Sequence, residues 1–180
     1  AAKEPGNELR LMREMTDATS KYLGWERFPR LGNTAELVTR LRDVYGNQMK
    51  TLTGLEATES AVKAENMEKY GGGIVFATHG IVDERVPYLQ QAALVMTNPQ
   101  LAGEQGGGES DGFLTMTEVM GLKMPTEMVG AMACVTGVGG EVAGEGVMNL
   151  GRAFQYAGAR SVLVSLWSVE AESTSLLGER

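Results

Sequence analysis

The stretch Ile74-Val75-Phe76-Ala77-Thr78-His79-Gly80 decides how this chain is read. Ile74 to Thr78 is a continuous, largely apolar run of strand length, and Gly71-Gly72-Gly73 breaks whatever precedes it. A run without alternation is the pattern of a strand buried on both faces, as in a parallel sheet. Outward from it, strand patterns recur at Met49–Leu52, Ala92–Thr97, Met128–Ala133 and Ser161–Leu166. Helical spacing predicts helices at Asn7–Tyr22, Thr34–Tyr45, Thr58–Tyr70 and Val147–Tyr156, a short one opening at Thr115, and a last one from near Val169. Asn33 with Glu36, and Thr115 with Glu118, have the spacing of capping boxes. Leu37, Leu41 and Tyr45 recur as a helical stripe, and Gly158 stops the helix before it. Asn98–Gly112 reads as an exposed loop and Gly137–Gly146 as a second glycine-rich loop. Strands alternating with helices predict an α/β domain with a largely parallel sheet.

Composition narrows the chemistry. The chain has 180 residues, one cysteine and one histidine. A single cysteine closes no internal disulfide and builds no cysteine-rich zinc site, so no metal is expected, and a reducing, cytoplasmic setting fits. The net charge of −7 argues against nucleic acid and against an anionic membrane surface. No apolar run approaches the roughly 18 residues of a membrane span, and no signal peptide opens the chain. The ends, Ala1-Ala2-Lys3 and Gly178-Glu179-Arg180, read as cuts, so a longer polypeptide is expected. Self-processing after Arg180 is the sharper account of that end; a boundary set by other means is preferred.

Any cysteine nucleophile is therefore Cys134 and any histidine base His79. Each follows a predicted strand, and open α/β sheets bind ligands outside the carboxyl ends of their strands. If the two strands are neighbours, sulfur and imidazole face one crevice. A thiol is a weak nucleophile until ionised, and an adjacent imidazole promotes ionisation and later protonates the leaving amine. The backbone N–H groups of Gly80 and Cys134 are the expected oxyanion donors, each worth roughly 3–4 kcal/mol when well aimed. The histidine precedes the cysteine by 134 − 79 = 55 residues.

Phe76-Ala77-Thr78-His79-Gly80 resembles the histidine motif of CHAT domains, and Ala133-Cys134-Val135-Thr136-Gly137 resembles their cysteine motif. Gly144-Glu145-Gly146-Val147, Arg152-Ala153-Phe154, Ala157 to Val162 and Ser165-Leu166-Trp167-Ser168-Val169 are similar to the family's downstream signature. The order also matches caspases, whose histidine lies about 50 residues before the cysteine. The resemblance implies a caspase/separase-like, three-layer α/β/α fold. It implies a cysteine endopeptidase with Cys134 as nucleophile, His79 as base and no cofactor. Residues 1–48 would then be a helical lead-in and residues 49–180 the caspase-like peptidase core, cut short at its C-terminal end. Implied partners are a protein or peptide substrate, a sensor segment such as tetratricopeptide repeats, and the rest of the same polypeptide. A prokaryotic defence or signalling protease is the setting this resemblance suggests.

Four residues are candidates for the substrate pocket: Trp167 and Ser168 from the downstream signature, and Asp83 and Glu170 as acids suited to a basic P1 side chain. Glu84 and Glu172 belong to the same acidic set, although solvated acids are the plainer reading of each taken singly. Val135 stands where the family often has an acidic residue. It favours the alternative of an inactive caspase-like interaction module. A nucleotide site is not expected: Gly137–Gly146 lacks the phosphate-loop pattern, and Glu141 and Glu145 would repel phosphate.

Overall fold

The computed structural model describes residues 28, 31–82, 89–103, 110–132, 135–137 and 149–164. The expected helix Asn7–Tyr22 and most of Gly137–Gly146 lie outside these residues, as does everything after 164. The described helices are α1 (Gly32–Tyr45), α2 (Glu59–Ala64), α3 (Met116–Gly121) and α4 (149–156). The strands are β1 (Gly73–Phe76), β2 (Gly80–Val82), β3 (Ala93–Val95), β4 (Phe113–Thr115), β5 (Met128–Ala131), β6 (Val135–Gly137) and β7 (Ser161–Val164). They form a three-stranded sheet, β1-β5-β7, and a four-stranded sheet, β4-β3-β2-β6. The pairs β1–β5, β5–β7 and β2–β6 are parallel, whereas β2–β3 is antiparallel.

The chain divides into two compact units. The larger comprises Arg30–Thr51, Glu65–Val95 and Leu114–Arg180. In it, α4 follows β5 and precedes β7, as the crossover between parallel strands requires. Phe154 of α4 is fully buried and stacks on Phe76 of β1, ring centroids 5.4 Å apart. Registers Ile74↔Val129↔Val162 and Phe76↔Ala131↔Val164 put these residues on one face of the three-stranded sheet, where Val129 and Ala131 are buried. The opposite face carries Val75, Met128 and Leu163, which are 38–42% exposed. β1 was expected to be buried on both faces, and here that expectation fails. β2, β3 and β4 are instead buried at every position. α3 opens with the capping box expected of it: the Thr115 hydroxyl accepts from the Glu118 N–H, and the Glu118 carboxylate accepts from the Thr115 N–H.

The smaller unit comprises Ala1–Pro29, Leu52–Ala64 and Met96–Phe113. Thr97 ties its segments together, donating its N–H to the Ala57 carbonyl at 2.9 Å and its hydroxyl to the Gly54 carbonyl at 2.6 Å. Glu59, the first residue of α2, is fully buried. Its Oε2 accepts from the Asp111 and Gly112 N–H groups at 2.8 and 2.9 Å, and its Oε1 meets Lys63 Nζ at 2.5 Å.

Several expectations need correcting. Met49–Leu52 forms no strand; the chain leaves α1 through Gly46 (φ 54°) and a 3-10 turn, Gly46–Gln48. α1 begins at Gly32 with Leu31 at its cap, so Asn33 sits inside the first turn rather than capping it. Of its stripe, only Leu37 is buried, and Tyr45 is 57% exposed. Thr58–Tyr70 is not one helix: α2 ends at Ala64, and Asn66 starts a separate 3-10 turn by accepting from the Glu68 N–H. Within the expected exposed loop, Asn98 is buried. Its side chain accepts from the Gln100 N–H and its carbonyl from Leu101 and Ala102, so the backbone's polar groups are met locally. Gly137 closes a strand rather than opening a loop.

Candidate active site

His79 and Cys134 were each expected to follow a strand; the structure adds a further strand after each of them, β2 and β6. β1 ends at Phe76 and β2 begins at Gly80, a pause that leaves Ala77-Thr78-His79 between two ladders. β5 ends at Ala131 and β6 begins at Val135, leaving residues 132–134. β1 and β5 are direct neighbours, as the chemistry of a shared crevice requires.

The registers on the two sides of the pause agree. Phe76 pairs with Ala131, an offset of 131 − 76 = 55, and Gly80 pairs with Val135, an offset of 135 − 80 = 55. The Met132 N–H donates to the Phe76 carbonyl at 2.9 Å and carries the first ladder one residue further. The offset is also the separation of His79 and Cys134 along the chain.

His79 is half-buried. Its backbone carbonyl accepts from the Val95 N–H at 2.8 Å, and the hydroxyl of the preceding residue, Thr78, donates to the Val95 carbonyl. Val95 ends β3, a strand buried throughout, so the pause is held against a fixed element. Gly80 is buried and lies in register between Leu94 of β3 and Val135 of β6. Cys134, Asp83, Trp167, Ser168 and Glu170 lie outside the described residues, as do Glu84 and Glu172. Along the chain, Asp83 directly follows β2, and Trp167 comes three residues after β7. The sequence reading missed Thr78 and Val95; a hydroxyl immediately before the only histidine was the available signal. Among the described residues no group of three or more His, Cys, Asp or Glu is arranged to hold a metal ion. Among the same residues, no helix is long and apolar enough to cross a membrane.

A mostly parallel sheet with a crossover helix, beside a second sheet with an antiparallel pair, is an α/β fold of the caspase-like class. The CHAT domain family model matches residues 4–180, and the chain belongs to that caspase-like, peptidase-related family. No curated protein and no solved structure gives a significant match to the chain.

Proposed function

We propose that the chain is a cysteine endopeptidase working through a Cys134/His79 dyad. The observation that carries this reading is the common offset of 55 in the ladders on either side of the pause. His79 and Cys134 are separated along the chain by that same offset, with paired strands before and after each of them. His79 takes the proton of the Cys134 thiol, and the thiolate attacks the scissile carbonyl carbon. As the tetrahedral intermediate collapses, the imidazolium returns the proton to the departing amine, leaving a thioester. Water, deprotonated by His79, then attacks the thioester; the carboxylic acid leaves and the thiol is restored.

The oxyanion is assigned to the backbone N–H groups of Gly80 and Cys134. The first carries a condition. Gly80 lies in the ladder between Leu94 and Val135, so its N–H has to be shared with the sheet, or released from it, when substrate arrives. Asp83, Trp167, Ser168 and Glu170 are proposed as pocket residues, and a segment beyond this chain as the sensor that controls cleavage. An acidic pocket gives a cleavage profile with Arg or Lys at P1; an apolar one gives Leu or Met. Val135, which favoured an inactive module, opens β6, where a β-branched residue is the ordinary choice on structural grounds alone.

The test is labelling of the full-length, activated protein by a peptide carrying a thiol-reactive electrophile, together with cleavage of a peptide library. Labelling at Cys134 is expected, with loss of cleavage in Cys134→Ala and a fall of roughly 10²- to 10⁴-fold in His79→Ala, both with unchanged circular dichroism. Absence of both labelling and cleavage in the wild type refutes the proposal.

A further inference from the structure

The dyad accounts for His79 but not for the hydroxyl beside it. Thr78 is half-buried and donates to the Val95 carbonyl, while the Val95 N–H donates to the carbonyl of His79. Two consecutive residues of the pause thus hold the two ends of one residue in β3. A single hydrogen bond leaves a segment free to pivot about it; two bonds to the same residue remove that freedom. The need is local. Between Phe76 and Gly80 the chain lies outside both strands, and an imidazole reaches a fixed point only if the backbone it projects from is itself fixed. The anchor is rigid, because β3 is buried at all three positions.

We propose that Thr78 is a positioning residue. Its hydroxyl locks the pause to Val95 and so sets the direction in which His79 presents its imidazole to Cys134. This rests on the dyad reading. Serine can replace the function, since it keeps the donor. Valine cannot, although it keeps the shape.

The 180-residue chain suits the test because its one cysteine and one histidine make each signal unambiguous. Alkylation of Cys134 by iodoacetamide is followed against pH in the wild type, Thr78→Val, Thr78→Ser and His79→Gln, with Thr78→Ala as a second variant should the valine fail to fold. The expected result is that His79→Gln and Thr78→Val both move the profile toward that of an ordinary thiol, near pH ~8.5, while Thr78→Ser overlays the wild type. In the full-length protein Thr78→Val is expected to lower kcat/KM roughly 10- to 100-fold, through kcat rather than KM. If His79→Gln moves the alkylation profile and Thr78→Val and Thr78→Ala do not, the hydroxyl is merely structural and the proposal is overturned while the dyad stands. If His79→Gln leaves the profile unchanged, the dyad fails and the role of Thr78 fails with it.

Discussion

Replacing Glu59 by glutamine removes one fully buried charge while keeping the shape of the side chain. The carboxylate is fully buried, its Oε2 accepts two backbone N–H groups at 2.8 and 2.9 Å, and its Oε1 meets Lys63 Nζ at 2.5 Å. A glutamine has one acceptor oxygen where the carboxylate had two. If that oxygen keeps the Asp111 and Gly112 amides, the NH2 group faces the Lys63 ammonium, donor against donor. Hydrogen bonds to a charged group contribute about 1.5–3 kcal/mol each, and breaking a buried pair costs about 3–5 kcal/mol. The side chain of Lys63 is 25% exposed and can turn to water, which moderates its share. A loss of about 3–4 kcal/mol is therefore expected for Glu59→Gln. Lys63→Met should cost about 3–5 kcal/mol, because the fully buried carboxylate keeps both amides but loses its counter-charge. With a urea slope of roughly 2 kcal/mol per M, the glutamine variant should unfold about 1.5–2 M earlier. Hydrogen exchange gives the local readout: the Asp111 and Gly112 amides should lose protection. A midpoint within about 0.3 M of the wild type, with both amides still protected, would refute the reasoning, because the carboxylate would then not be holding the loop.

Two further outcomes can be checked on the same chain. Gly158 has φ 117°, and a Cβ placed there would lie 3.1 Å from the Met124 carbonyl oxygen and 3.3 Å from the Pro125 nitrogen, both backbone atoms. Gly158→Ala should therefore destabilise by about 1–3 kcal/mol, seen as a fall of several degrees in Tm; an unchanged Tm contradicts it. The hydrogen bond from Lys50 holds the Glu65 carboxyl below the usual carboxylate range, with Tyr70 as a second donor to it. A depressed folded-state pKa contributes stability above the ordinary carboxylate pKa and loses it as pH falls through the folded value. The stability difference between wild type and Glu65→Gln should accordingly shrink on acidification, and urea midpoints measured from pH 7 to pH 3 would show a constant gap if the pairing contributes nothing.

The elements that could be read from the chain are those whose signal is local. The apolar runs around Ile74, Ala93, Val129 and Ser161 are strands, and the capping box at Thr115 opens α3, because propensity and capping act over a few neighbouring residues. What could not be read depends on distant partners. β2 and β6 are three residues each, too short to carry a pattern, and exist because Gly80–Val82 and Val135–Gly137 pair with each other across 55 residues. Glu59 has no local sign of burial; its partners are amides 52 and 53 residues further on. The apolar run at β1 suggested two covered faces, but composition cannot say which faces have a neighbour, and Val75 is 38% exposed.

The same division holds at the site. One cysteine and one histidine in the whole chain left a single possible Cys/His pair, and the motifs around them carried the resemblance to CHAT domains. Residue identity is a property of the chain alone, so that much needed no fold. That β1 and β5 are neighbours, that the ladders before and after the pause share one offset, and that Thr78 and His79 are tied to Val95 were decided by tertiary structure. Register is set by cross-strand hydrogen bonds and side-chain burial between segments far apart in sequence, and no local pattern contains it.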